Sequence, residues 1–114
     1  MQNSEAQSTV FRIDRFVVPA SSEAEFLSAV AETNTAFDGM EGCLQRHVLK
    51  QDEAAGGEST YITIVEWASS QVIQKAREAA AAKHKAMKLD PQELFSRLNI
   101  KAELGYFVPA PGSA

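Results

Sequence analysis

Residues 60–72 read TYITIVEWASSQV and carry the strongest indication of secondary structure in the sequence. The first eight, TYITIVEW, are mostly β-branched or aromatic, a composition typical of a strand. Ser69 and Ser70 follow, and either can cap the amino end of a helix. The alanine-rich stretch that continues to about Met87 predicts a helix that lies close to a sheet. The only tryptophan of the chain, Trp67, therefore stands where a strand ends and a helix begins.

Further helices and strands are predicted on both sides of this unit. Ser22 and Glu25 have the spacing of a capping box ahead of an apolar series, which predicts a helix that ends near Gly39. Asp90 followed by Pro91 is the start signal of another, short helix. Three more stretches are predicted to be strands, namely residues 10–18, 43–51 and 99–108.

The predicted order of elements is β-α-β-β-α-α-β, in which the last helix is short. This is the split βαβ order of the ferredoxin-like fold. It predicts an α+β domain in which a four-stranded antiparallel sheet carries its two main helices on one face. We expect the domain to span residues 9–108. Residues 1–8 are expected to form a disordered tail and residues 109–114 a flexible one.

One face of the predicted sheet has no element to cover it. The first strand carries apolar residues on both faces, with Phe11 and Ile13 on one and Phe16 and Val18 on the other. The helices cover only one of these faces. A second copy of the chain can cover the other, since burying apolar area contributes about 25 cal/mol per Å². We therefore predict a homodimer in which two sheets face each other.

Composition limits the classes of function open to the chain. It has 114 residues, of which 45% are hydrophobic, and a net charge of −4. Nucleic-acid binding requires clustered Lys and Arg, so no nucleic-acid partner is expected. The sequence shows no apolar run that could span a membrane and no apolar secretion signal, so no membrane partner is expected. A single cysteine, Cys43, forms no internal disulfide, and a cytoplasmic location is predicted.

Four stretches carry a resemblance to the antibiotic biosynthesis monooxygenase family of dimeric α/β barrels. They are FRIDRFVVP on the first predicted strand, FDGMEGCLQRHVLK around the second, YITIVEWASS on the third and IKAELGYF on the last. The stretches span about residues 10–108, and a strand that ends in Glu-Trp-x-Ser is the part closest to a signature. For members with oxygenase activity, the resemblance implies that a deprotonated phenolic or quinol-like substrate reacts with O2. It implies no flavin, metal or other cofactor.

That reaction needs a base, and three residues are candidates. His47 lies in the middle of a predicted strand and His84 near the end of the long helix, and imidazole titrates near neutrality. Asp14 lies among apolar neighbours, where burial would raise its pKa. Each has an alternative role. His47 would be a hydrogen-bonded strand or interface residue, His84 a solvated residue at a helix end, and Asp14 the partner of an arginine.

Other residues are candidates for binding the substrate. Asn34 interrupts the apolar stripe of the first helix, and Tyr61 and Tyr106 lie on strands, so each is a possible donor to an oxyanion. Phe37 and Trp67 can wall a cavity between sheet and helices and stack on a planar substrate. For the aromatic residues the alternative is packing in the core.

The predicted function is a cofactor-independent monooxygenase that acts on a small aromatic, polyketide-like or quinol substrate. The alternative is a non-catalytic ligand-binding or stress-associated dimer. No spacing of residues indicates a metal site, and Cys43 is expected to be an inert thiol. The resemblance extends to a heme-degrading branch, but Asp14 stands where that branch has asparagine. Ala76 stands about where it has a second tryptophan, so heme is the least favoured ligand.

Overall fold

The structure is a computed structural model that describes residues 8–52 and 56–112. The predicted amino-terminal tail lies almost wholly outside these residues, as do the last two residues of the predicted carboxy-terminal tail. Four strands and three α-helices are present in the described part of the chain. In chain order they are β1 (Val10–Pro19), α1 (Glu23–Asn34), β2 (Cys43–Lys50), β3 (Glu58–Trp67), α2 (Ser70–Met87), α3 (Pro91–Arg97) and β4 (Lys101–Phe107).

The strands form one antiparallel sheet in the order β2-β3-β1-β4. The two central strands come from opposite halves of the sequence, and their register pairs Val10 with Trp67 and Val18 with Ser59. The sheet is open, with β2 and β4 at its edges. This topology confirms the predicted α+β, ferredoxin-like fold with its helices packed on the sheet.

The hydrophobic core lies at one end of the layer between sheet and helices. Phe26 of α1 is 1% exposed and packs against two sheet residues, at 5.0 Å between ring centroids from Phe16 and 5.3 Å from Tyr61. Phe95 of α3 lies 5.6 Å from Phe16 on its other side. Val18, which is fully buried, completes the centre of this cluster. Alternation along β1 and β3 therefore directs large side chains toward the helices, as the sequence predicts.

A β-bulge in β2 corrects the predicted orientation of Cys43. Strict alternation predicts that Cys43 and His47 share a face. In the structure Cys43 pairs with Trp67, whose side chain is on the helix-covered face, while His47 pairs with Ile64 on the open face. The register shifts next to Leu44, because a bulge places an extra residue in one strand and reverses the alternation beyond it.

The helix starts differ in how they are capped. Asp90 caps α3 as predicted, accepting hydrogen bonds from the backbone nitrogens of Gln92 at 3.0 Å and Glu93 at 3.4 Å. The predicted capping box at α1 is wrong. Ser22 occupies the cap position but makes no cap hydrogen bond, and its hydroxyl instead donates to the carbonyl oxygen of Leu98 at 2.9 Å. A tertiary partner has replaced the local one.

The first helix is also shorter and less amphipathic than predicted. It ends at Asn34, and a 3₁₀ turn over Thr35–Phe37 carries the chain to the left-handed Gly39. Leu27 belongs to the apolar series that follows Ser22 and is expected to face the sheet, but it is exposed. None of the helices in the described part of the chain has the length and apolarity needed to cross a bilayer.

The face of the sheet away from the helices is largely apolar and uncovered in the single chain. Two of its side chains are about half exposed, Leu49 at 48% and Phe107 at 53%. The strand registers place further apolar residues between them on β1 and β3, namely Phe11, Ile13, Val17, Ile62 and Ile64. The predicted apolar face is therefore present.

Candidate functional site

A cavity of about 410 Å³ lies between the sheet and the helices, next to the packed core, whose Phe16, Phe26 and Phe95 form part of its lining. Its volume is within the range of about 300–1,000 Å³ of small-molecule pockets. Trp67 and Phe37 wall one side, with their rings edge to face at 5.1 Å and 87°. Trp67 is 3% exposed, so the structure places this ring in the interior and also on the cavity wall. Helix α2 adds the small side chains of Ala76 and Ala80.

Polar side chains gather at one part of this cavity, on β1, β4 and α2. Arg12 Nε donates to Asp14 Oδ1 at 2.6 Å. The Arg12 guanidinium lies 4.9 Å from the ring centroid of Tyr106, and the Arg77 guanidinium lies 5.2 Å from the same centroid. Arg77 Nε also donates to the Tyr106 hydroxyl at 3.2 Å.

The position of Asp14 bears on both of its predicted roles. It lines the cavity, and its side chain is 15% exposed. Burial raises the pKa of the Asp14 carboxyl, and this outweighs the hydrogen bond from Arg12, which favours the charged form. The carboxylate is thus held against a guanidinium, as the ion-pair alternative requires, while it faces the cavity as a base would.

His84 lies on α2 and lines the same cavity. Its side chain is half-buried, and its ring makes no hydrogen bond to any other described residue. Burial lowers the pKa of the His84 imidazole, because the charged form loses solvation. The neutral ring therefore predominates at neutral pH and can accept a proton.

The second histidine is oriented differently. His47 is exposed, and its Nε2 lies 3.0 Å from Gln45 Oε1. Although His47 borders the cavity, it pairs with Ile64 in a register that directs its side chain to the open face of the sheet. The ring therefore points away from the cavity, which the backbone of the strand borders. The two histidines are not brought together.

The remaining predicted binding residues divide into two groups. Asn34 and Tyr106 line the cavity with Phe37 and Trp67. Tyr61 does not, because its hydroxyl donates to Glu23 Oε2 at 2.5 Å at the packed end of the layer. The backbone oxygen of Asn34 accepts from Arg46 Nη1 at 2.6 Å, which fixes the end of α1 at the cavity.

Arg12 and Arg77 are cavity residues that sequence reasoning did not single out. A signal for Arg77 exists, since Ile73, Arg77, Ala80 and His84 recur at the i, i+4, i+7 spacing of one helical face. Cys43 lies nearby at the start of β2, and burial raises the pKa of its thiol, as expected for an inert cysteine. Among residues 8–52 and 56–112, no cluster of three or more His, Cys, Asp or Glu could hold a metal ion.

Solved structures with this fold differ widely in what they bind or do. A variant of SnoaB, a cofactor-independent oxygenase from Streptomyces nogalater, is 23% identical, with a TM-score of 0.64 over 93% of this chain and 96% of that one. A variant of MhuD with two manganese protoporphyrin IX molecules per active site is 22% identical, with a TM-score of 0.63 over 92% and 97%. The de novo designed protein Foldit4 is 14% identical, with a TM-score of 0.57 over 90% and 99%. At these identities the likeness shows the fold alone.

Sequence comparison gives the family. None of the curated proteins is significantly similar to this chain. A family model described as antibiotic biosynthesis monooxygenase matches residues 9–87, which include β1, α1, the bulged β2, β3 and α2 with His84. On that match, which covers more than half of its length, the chain belongs to the antibiotic biosynthesis monooxygenase family.

Proposed function

We propose that the protein is a cofactor-independent monooxygenase that oxidises a small aromatic, polyketide-like or quinol substrate with O2 in the cavity between sheet and helices. One observation carries the proposal. A half-buried histidine with a lowered pKa, His84, and a phenol held by a guanidinium, Tyr106, line the same cavity. A base and an oxyanion donor in an apolar enclosure are the groups that this chemistry requires.

The reaction balances without an external reductant. For a substrate with an activated CH2 group next to an aromatic ketone, the base removes one proton and leaves a delocalised anion. The anion transfers an electron to O2, and the two radicals combine into a peroxide. Loss of water from the peroxide converts CH2 into C=O. One oxygen atom of O2 enters the product and the other leaves as water.

The cavity residues supply distinct parts of this sequence. His84 accepts the proton, since the lowered pKa of its half-buried imidazole keeps the ring neutral and the ring makes no hydrogen bond to another described residue. Tyr106 accepts a hydrogen bond from Arg77, which leaves its own O–H to donate to the substrate oxyanion. Trp67 and Phe37 enclose the planar rings. Asn34, at the end of α1, is a second possible donor.

The experiment follows O2 consumption and oxygen incorporation with 1,8-dihydroxyanthrone in air-saturated buffer. We expect a rate above the buffer background, and with ¹⁸O2 one labelled atom in the quinone. His84→Ala should lower the rate about 10²-fold or more, the usual contribution of a general base. His47→Ala is the matched control, because that ring is directed to the other face of the sheet, and its rate should stay close to wild type.

The outcomes separate the alternatives. A rate equal to buffer in wild type would reject the oxygenase and favour the non-catalytic ligand-binding protein. A rate above buffer that falls with His47→Ala and not with His84→Ala would show that His47 is the base, and it would reject the assignment of that role to His84. A quinone product that contains no ¹⁸O would exclude a monooxygenase.

We further propose that a second copy covers the open face of the sheet and forms a homodimer. The support is the apolar face itself, where Leu49 and Phe107 are half exposed in the single chain around the central Ile64. Ile64→Glu should shift the sedimentation coefficient from dimer to monomer at micromolar concentration. Leu27→Glu makes the same change on the exposed side of α1 and should leave the dimer intact. A monomeric wild type at that concentration would reject the proposal.

A further inference from the structure

The charges along the cavity do not cancel. Apart from the histidines, the lining contains two guanidiniums, Arg12 and Arg77, and one carboxylate, Asp14. Arg12 is held at 2.6 Å from Asp14 and is compensated by it. Arg77 forms no ion pair with any carboxylate in residues 8–52 and 56–112. The lining therefore carries one positive charge, on the exposed Arg77, that pairs with no carboxylate of the described residues, in a chain whose net charge is −4.

Tyr106 fixes the position of this charge. The Arg77 Nε donates to the tyrosine hydroxyl at 3.2 Å, and its guanidinium lies 5.2 Å from the ring centroid. A guanidinium has five N–H donors, and this contact uses one of them. The two Nη atoms make no hydrogen bond to other described residues. They remain as a planar fork next to an apolar cavity.

We propose that this fork is a subsite for a carboxylate carried by the aromatic substrate, and that Arg77 determines the preference for an acidic over a neutral substrate. The inference rests on the proposed function, since it names the substrate class of the same cavity. A planar carboxylate matches the two parallel N–H bonds of a guanidinium. The aromatic body of the same molecule would lie between Trp67 and the small side chains of α2.

The other guanidinium is not an equal candidate. Arg12 already donates through Nε to Asp14, and a second carboxylate beside it would face the negative charge of that residue. Arg77 pairs with no carboxylate among the described residues that line the cavity, and its guanidinium lies 5.2 Å from the Tyr106 ring centroid. The net negative charge of the protein repels an anion at long range. The attraction for a carboxylate must therefore come from the guanidinium of Arg77 at short range.

The test measures binding and does not depend on turnover. Trp67 is the only tryptophan and lies on the cavity wall, so quenching of its fluorescence reports occupancy. Anthraquinone-2-carboxylate and its neutral analogue 2-(hydroxymethyl)anthraquinone are titrated into wild type, Arg77→Gln, Arg77→Lys and Lys75→Gln. Lys75 is exposed on the same helix and does not line the cavity. The Lys75→Gln variant therefore removes one positive charge, as Arg77→Gln does, without changing the cavity lining.

We expect the acid to bind wild type about tenfold or more tightly than the alcohol, as one charge-assisted pair would give. Arg77→Gln should abolish this preference by weakening the acid alone, and Arg77→Lys should keep part of it. Lys75→Gln should retain the full preference. Because Arg77 is exposed, the wild-type preference should also shrink between 20 mM and 500 mM salt.

Equal affinity of wild type for the two compounds, or a preference that survives Arg77→Gln, would overturn the subsite. Failure to bind either compound would overturn it as well. If Arg77→Gln does not fold by circular dichroism, the Arg77→Lys variant and the salt series decide. The result is separable from the proposed function. A carboxylate preference without O2 consumption rejects the oxygenase alone, and O2 consumption without a preference rejects the subsite alone.

Discussion

The two ends of the helix-covered face of β1 follow the same alternation of side chains, but one end is packed and the other borders a cavity. At one end Phe16 and Val18 are 5% and 0% exposed and meet the aromatic side chains of α1 and α3. At the other end Arg12 and Asp14 border open space. The difference lies in the covering helix, since α2 contributes alanines that are too short to fill the gap to the sheet. A packed core and a cavity therefore arise from one strand pattern.

The largest loss of stability should come from removing a large buried side chain at the packed end. Phe26→Ala removes a side chain that is 1% exposed and contacts two aromatic rings, and should cost about 3–5 kcal/mol of unfolding free energy. Phe37→Ala makes the same change at the cavity wall, where the ring is half-buried, and should cost about 1–2 kcal/mol. Urea denaturation measures both. Equal losses would mean that the two ends are packed alike.

A substitution where the chain approaches α2 tests how closely that helix is held. Gly42 has φ +91°, and a Cβ there would lie 2.7 Å from Val72 Cγ2. Gly42→Ala should cost about 2–3 kcal/mol from strain and overlap. Gly39→Ala has a similar φ of +70° but nothing within 4 Å, and should cost about 1 kcal/mol.

Val72→Ala in the Gly42→Ala background separates the two contributions. It should restore the part caused by overlap, as thermal unfolding of the double variant would show. If the double variant is no more stable than Gly42→Ala, backbone conformation alone accounts for the loss.

The third helix connects the two ends, since Phe95 packs on Phe16 and Gln92 lines the cavity. Its cap, Asp90, accepts from two backbone nitrogens at 3.0 and 3.4 Å. Asp90→Ala should cost about 1 kcal/mol, and Asp90→Ser should recover most of it. Chemical denaturation gives the values. A loss within error for Asp90→Ala would show that the helix is held by its packing and not by its cap.

The smallest effect is a pH dependence at the cavity end. Burial holds the pKa of His84 in the native protein below its unfolded value of about 6.5. As pH falls through that value the unfolded chain takes up a proton before the native one, so stability is full above about 6.5 and falls below it. The comparison is the unfolding free energy at pH 7.5 and pH 5.5.

The His84→Gln variant should show a smaller fall between these two pH values than wild type. His47→Gln serves as the control, since that ring is exposed on the other face, and should leave the fall unchanged. An identical fall in wild type and His84→Gln would contradict the burial of the His84 ring.

Much of the candidate site follows from local patterns. Five of the candidate residues named from the sequence, Asp14, Asn34, Phe37, Trp67 and His84, line the cavity. Their grouping was predictable because alternation in a strand and the 3.6-residue period of a helix fix which side chains share a face.

Other features of the site depend on contacts between elements. The bulge next to Leu44 places Cys43 and His47 on opposite faces of the sheet, and no residue pattern in β2 predicts it. Tyr61 is drawn to Glu23 on α1, 38 positions away, which removes its hydroxyl from the cavity. Arg77 belongs to the site because Tyr106 on β4 accepts its hydrogen bond, 29 positions away. The homodimer stays a prediction.

The sequence by itself determined the order of strands and helices, the two-sided apolar pattern of the sheet and the cap of α3, because each depends on residues a few positions apart. The tertiary structure alone decided where space remains between α2 and the sheet, which histidine ring faces that space, and which arginine is left without a carboxylate among the described residues. These properties depend on distances between elements that are far apart in the chain. Such distances are set when all the side chains pack at once.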